Sequence, residues 1–171
     1  AGLGRLLWFK EIYRDLFHPG TIHIGAGEYL FFHLTRVWRQ DAGNAFQIGS
    51  YNAMGKKLFT TFFDPLKIPL SFVAPLRDGH ETAPLSPQAA QRFDLPEGIP
   101  VAGPYFDQEA SFLSASGACI HPLQVSLGTA WVGNFIVPEN YEGMSSTQIV
   151  VPSPLDEGRL VVQPLLTGNP A

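Results

Sequence analysis

An α/β fold is the class this sequence predicts, and three observations predict it. Helical periodicity marks the N-terminal stretch, short β-prone runs punctuated by Pro and Gly mark the C-terminal one, and 45% of the 171 residues are hydrophobic, enough to bury a core. Asp, Glu, Lys and Arg make up only 15% of the chain, well under the usual quarter, which excludes a disordered polyelectrolyte or a coiled coil.

Residues 5–17 set Leu6, Trp8, Phe9, Ile12, Tyr13, Leu16 and Phe17 among charged side chains, a broad apolar stripe at helical spacing. This stripe is read as core rather than as a sugar platform. His18-Pro19-Gly20 ends that helix, because Pro lacks a donor and disfavours helical geometry in the residue before it. Glu28 to Trp38 repeats the pattern with Leu30, Phe31, Leu34, Val37 and Trp38 on one side, opened by Gly25-Ala26-Gly27. Residues 41–65 show less periodicity, and Asp64-Pro65 marks a turn or a short helix.

Ser86-Pro87-Gln88-Ala89-Ala90 fits a short helix with Ser as N-cap and Pro in first position. Strands are expected over residues 99–106, 123–127, 131–137, 148–151 and 160–163, and a helix of small residues over 108–118. There is no internal repeat and no low-complexity tract.

A net charge of −4 and a pI near 5.7 give no field for gathering phosphates along a duplex, so no nucleic-acid partner is expected. No apolar run reaches the ~18–20 residues of a bilayer span, and the N-terminal apolar residues are broken by Arg5, Lys10 and Glu11 with no cleavage pattern after them. No membrane association or secretion is expected. The single Cys119 cannot form an intrachain disulfide, in keeping with a reducing compartment. The absence of an initiator Met and an apolar run close to Ala171 read as a segment of a longer protein.

Two places carry candidate chemistry. Asp107 stands between the expected strand 99–106 and the expected helix 108–118, at the kind of strand-to-helix junction where α/β folds bind ligands. A helix N-terminus favours its ionised form, and an Asp there can equally serve only as a cap. Ser126-Leu127-Gly128-Thr129, between two strands, offers backbone N–H groups and hydroxyls that can hold phosphate oxygens, or makes an ordinary hairpin turn. It lacks the Lys of a P-loop. The five His residues are scattered without ligand spacing and one Cys cannot build a thiolate zinc site, so no metal site on protein side chains is expected. Asp107 and Glu109, two apart, do not share a helix face as a glycosidase acid pair would.

In order along the chain, several short motifs are similar to those of the FGGY carbohydrate kinases. Arg5-Leu6-Leu7-Trp8-Phe9-Lys10-Glu11 resembles a basic-Leu-Leu-Trp helix of that family, and Gly27-Glu28-Tyr29-Leu30 with Leu34-Thr35 resembles its Gly-Asp-Tyr-Leu helix. Ser50-Tyr51-Asn52-Ala53 through Leu58-Phe59 falls where members carry Thr-Asn-Ala-Ser. Ile68-Pro69, Leu85-Ser86-Pro87-Gln88-Ala89-Ala90, Leu95-Pro96-Glu97-Gly98-Ile99-Pro100-Val101 and Asp107-Gln108 follow in family order, and Val125-Ser126-Leu127-Gly128-Thr129 resembles the second phosphate motif.

The resemblance implies a partial actin-like (ribonuclease H-like) ATPase fold. Residues 1–118 would be the later part of the N-terminal kinase domain, on the sugar side, and 119–171 the opening strands of the C-terminal, ATP-binding domain, with the parent enzyme's cleft between them. It implies ATP and Mg2+ as cofactors, a small sugar or polyol as substrate, a cytoplasmic setting, and a homodimer as one allowed assembly. Asp107 would be the general base, Gln108 and Asn52 would bind substrate, and Ser126, Gly128 and Thr129 would hold ATP, with Thr167 and Gly168 near a later nucleotide position.

Four residues depart from the pattern. Tyr105 and Phe106 stand where members carry small residues before the Asp, Glu109 replaces a small residue after Asp-Gln, and Ala130 replaces a frequent Ser. The first three motivate an alternative, a non-catalytic sugar-binding or sensory protein on a kinase-like fold. The family's first phosphate motif would lie upstream of Ala1 and its adenosine motif downstream of Ala171, so this segment alone is expected to be inactive.

Overall fold

A computed structural model of the chain describes residues 2–18, 20–52, 56–117, 122–128, 130–155 and 158–167. The chain divides into two compact units, Ala1–Tyr105 and Phe106–Ala171. The boundary expected after residue 118 refers to the architecture of a longer kinase, whereas compactness within this chain groups the helix that follows Phe106 with the second unit.

In the first unit, helix α1 (Gly2–Ile12) is followed by a 3-10 turn (Arg14–Leu16), helix α2 (Ala26–Thr35) and helix α3 (Ala42–Gln47). Leu6 of α1 is buried with Phe63, Ile68, Phe72 and Val73, and Phe17 stacks on Phe72 at 4.2 Å between ring centres. The apolar stripe of α1 is only partly core, since Trp8, Ile12, Tyr13 and Leu16 are exposed. Helix α2 stops at Arg36, whose left-handed backbone (φ 65°) closes it ahead of the expected end at Trp38. The face it buries carries Glu28, Phe31 and Thr35, while Leu30 and Val37 stay exposed.

Two small antiparallel ribbons follow, β1 (Tyr51–Asn52) with β2 (Lys57–Leu58) and β3 (Ala83–Pro84) with β4 (Pro100–Val101). Between β3 and β4 lies helix α4 (Pro87–Phe93), with Ser86 as N-cap accepting the Ala89 N–H at 3.3 Å and Pro87 in first position, as its sequence predicts. Leu85, Ala89 and Ala90 form a small core there with Leu34, Ile99 and Val101. The strand expected over residues 99–106 shrinks to Pro100–Val101. Gly103, at φ 96°, turns the backbone out of extended geometry, and Pro104 has no N–H to give a ladder.

The second unit is one helix, α5 (Asp107–Ser116), on a four-stranded antiparallel sheet. Strands β5 (Gln124–Leu127), β6 (Ala130–Val137), β7 (Ile149–Pro152) and β8 (Arg159–Thr167) lie in the order β5-β6-β8-β7. Phe106, Phe112, Val151, Leu160 and Val162 make the core, flanked by Val132, Ile136 and Ile149. The β6–β8 register slips between Trp131, opposite Leu166, and Val132, opposite Pro164. That irregularity admits Pro164 into a strand, because the ladder is interrupted where a donor is missing. Among the described residues no helix is long and apolar enough to cross a membrane.

Candidate functional site

Asp107 is the first helical residue of α5 and is exposed. It is not the N-cap. That place belongs to Phe106, and the carboxylate of Glu109 reaches back to accept the Phe106 N–H at 3.1 Å, one half of a capping box. The Asp107 Oδ1 accepts the Gln108 N–H at 3.0 Å. The helix end is therefore served by Glu109, and Asp107 keeps its carboxylate at the solvent-facing start of a helix whose dipole favours negative charge.

Three of the departures from the motif pattern now have local explanations. Phe106 is a core residue packed with Phe112 and Val162, so its bulk points into the second unit. Glu109 is buried and caps. Tyr105 lies against Gly79 and Gly103, where a Cβ on Gly79 would come within 2.6 Å of the ring.

Gln108 is half-buried and tied to the sheet. Its Oε1 accepts from Asn134 Nδ2 at 2.7 Å, and the same Nδ2 donates to Gln124 Oε1. Asn134 is fully buried in the middle of β6, directly opposite Gln124 on β5. The sequence reading missed this trio. The available signal was one amide inside the otherwise apolar run 131–137.

Leu127 of β5 leads into the turn toward β6. Gly128 is exposed, and a Cβ built on it would meet no atom within 4 Å, so its backbone is open to approach as phosphate binding needs. Ser126 is half-buried, opposite Val132. Thr129, Cys119, His121 and Gly168 lie outside the described residues. Asp107, Gln108, Ser126 and Gly128 thus belong to the second unit, with α5 packed on β5 and β6. Asn52, half-buried and paired with Lys57, belongs to the first.

The first unit holds a second polar group the sequence reading passed over. Arg39 is buried, its guanidinium 4.1 Å from the centre of the Phe31 ring, and its Nη2 donates to the carbonyls of Glu81 and Gly103. Burial lowers its pKa, against the opposing pull of Glu81, Tyr105 and Asp41. Asp41 caps α3 by accepting the Asn44 N–H at 2.9 Å, and Asn44 Nδ2 donates to Pro104 O at 3.3 Å. Arg39 and Asn44 therefore fasten the Gly103-Pro104 backbone, four and three residues ahead of Asp107.

Glu28 is buried and accepts the Gly25 N–H at 3.0 Å. Desolvation raises its pKa, with Asp41 adding to the rise and the hydrogen bonds opposing it. A raised folded-state pKa means that the folded chain holds this proton more tightly. The linked stability is present below the ordinary Glu value and is lost as pH rises through the raised one. Glu28→Gln, which keeps an acceptor for Gly25, is expected to gain in stability on the unaltered chain between a pH below the ordinary Glu range and neutral pH. Urea midpoints at the two pH values check this. A difference that stays constant or shrinks with pH would show that the carboxylate is not destabilised by burial.

Among the described residues, no three His, Cys, Asp or Glu side chains stand together to hold a metal ion. No protein-family model matches the chain, and no curated protein matches its sequence. Solved structures do match, among them xylulose, gluconate and glycerol kinases. Xylulose kinase from Rhodospirillum rubrum superimposes with a TM-score of 0.81 at 18% identity, covering 98% of this chain and 34% of that one. A Brucella ovis xylulose kinase gives 0.76 at 19% identity, over 96% of this chain and 34% of its own. Gluconate kinase from Lactobacillus acidophilus gives 0.73 at 20% identity, over 96% and 33%. The fold is that of part of a sugar kinase, and the chain spans about a third of the length of these structures.

Proposed function

We propose that this chain is part of an ATP-dependent carbohydrate kinase of the FGGY type, with an actin-like ATPase fold, that transfers the γ-phosphoryl group of MgATP to a sugar or polyol hydroxyl. On this reading residues 1–118 are the later part of the sugar-side domain and 119–171 the opening strands of the nucleotide-side domain, in a cytoplasmic enzyme. The observation that carries it is the placement of Asp107. In a fold shared with sugar kinases, an exposed carboxylate opens a helix whose capping is already done by another residue.

Phosphoryl transfer asks little covalent chemistry of a protein, so positioning and charge stabilisation dominate. Asp107 accepts the proton of the attacking hydroxyl as the new O–P bond forms and the bond between the γ-phosphorus and the bridging oxygen breaks, releasing ADP. Gln108 and Asn52 bind sugar hydroxyls. Gly128 supplies an unobstructed backbone N–H to the phosphates, with hydroxyls from Ser126 and Thr129 beside it. Mg2+ would be held chiefly by the ATP phosphates, whose charge it would neutralise, and this would ask for few protein carboxylates. The local packing and capping tasks of Tyr105, Phe106 and Glu109 support the catalytic reading over a non-catalytic sugar-binding one.

The complete protein carrying this segment, given MgATP and a panel of pentuloses, gluconate and glycerol, is expected to form ADP only when one panel member is present. Saturable sugar binding with no sugar-dependent ADP would overturn the kinase reading in favour of a binding protein.

A further inference from the structure

Asn134 is hard to explain by stability. Asn is disfavoured in strands, and this one is fully buried with its Oδ1 lacking any partner among the described residues, a cost an apolar side chain would avoid. Its Nδ2 is instead fully used, one hydrogen toward Gln108 on the helix and one toward Gln124 on the neighbouring strand. Turning the amide over would place a carbonyl between the two glutamines and leave two buried hydrogens without acceptors, which costs more than one unfilled carbonyl. The donor role is therefore fixed by satisfaction, and it fixes its partner in turn. With Oε1 of Gln108 engaged by Asn134, the Nε2 hydrogens of this half-buried side chain are left for another acceptor.

We propose that Asn134 is a positioning residue that orients the Gln108 amide so that it gives N–H donors, not a carbonyl, to a substrate oxygen next to Asp107. This rests on the kinase reading above. The division of labour follows from chemistry. The carboxylate of Asp107 can only accept from substrate, and an adjacent amide whose donors are left for another acceptor supplies the complementary contact to a hydroxyl or carbonyl oxygen. Gln124 anchors the same amide to β5, two residues before Ser126, so the helix start and the strand leading to the phosphate turn share one hydrogen-bonded centre.

The test uses the complete protein. Asn134→Val is expected to leave the thermal midpoint unchanged or raised, because both half-buried glutamines can turn to water, while raising the sugar KM roughly tenfold, the worth of about one hydrogen bond, with the ATP KM unaltered. Gln108→Ala should raise the sugar KM as far, and the double variant should have a sugar KM no higher than that of Gln108→Ala alone. A lowered midpoint with an unchanged sugar KM, or additive effects in the double variant, would overturn the proposal. Gln108→Glu gives a second route that leaves Asn134 intact. It still offers Asn134 an acceptor but presents oxygen to substrate, so its sugar KM should rise as far as that of Gln108→Ala, and an unchanged value would equally refute the donor assignment. Should the unaltered protein turn over no sugar, the kinase reading itself fails. Turnover by the unaltered protein with Asn134→Val kinetically silent sinks only the role of Asn134.

Discussion

Asp107→Asn is expected to lower kcat by ~10²- to 10⁴-fold, the span a positioned general base contributes, equivalent to about 3–5 kcal/mol of transition-state stabilisation. The substitution keeps the size of the side chain and an oxygen able to accept the Gln108 N–H, so the contact seen at 3.0 Å can persist. It removes the charge that takes the proton. Folding should barely respond, because the N-terminus of α5 is capped through Glu109 and the loss of one exposed charge from a first helical turn costs within about 1 kcal/mol. The sugar KM should stay nearly constant, since binding the ground state does not require proton transfer. Steady-state kinetics with circular dichroism on both proteins separates the cases. Full turnover by the variant would remove Asp107 from the chemistry, and a collapse of the fold would recast it as a structural residue.

The largest stability effect is expected at Phe112, in the middle of α5, which is fully buried against Phe106, Val151, Leu160 and Val162. Truncation to Ala removes most of a benzyl group from the one face that joins helix to sheet, and such losses cost about 3–5 kcal/mol once the cavity is included. A small domain commonly has ~5–15 kcal/mol in total, so the second unit should lose a large share of its stability. Leu127→Ala is the control, because Leu127 is 68% exposed and its truncation should move stability by no more than about 0.5 kcal/mol. Denaturant midpoints followed through Trp131, on the same sheet, report the comparison. A loss at Phe112 no larger than at Leu127 would mean that α5 is not seated on the strands.

Much of this architecture was legible where local chemistry and tertiary packing agree. Ser86-Pro87 announces α4 because the cap and the first-turn proline are local, and α5 and the four strands of the sheet fall within a few residues of their expected limits. Elements set by distant contacts were not legible. Helix α3 has six residues, too few for a period to show, and it is held by the Asp41 cap and by Asn44 reaching Pro104, 60 residues away. The α1 stripe promised a wider buried face than Leu6 and its neighbours provide, because periodicity says which side is apolar but not how much of it finds a partner. At the proposed site, Asp107 and Gln108 are singled out by the order of motifs around them. Asn134 could not, since its partners lie 26 and 10 residues away and an amide in a β-run reads as noise until the pairing is known.

Gly128 bears on all of this in one more way. Its backbone angles lie outside the left-handed region that favours glycine, and a methyl group there would touch nothing of its own chain within 4 Å. Folding alone would accept alanine at that bend. No described neighbour within 4 Å fills the room left by the missing side chain, which leaves the bend as approachable as the proposed phosphate contact requires.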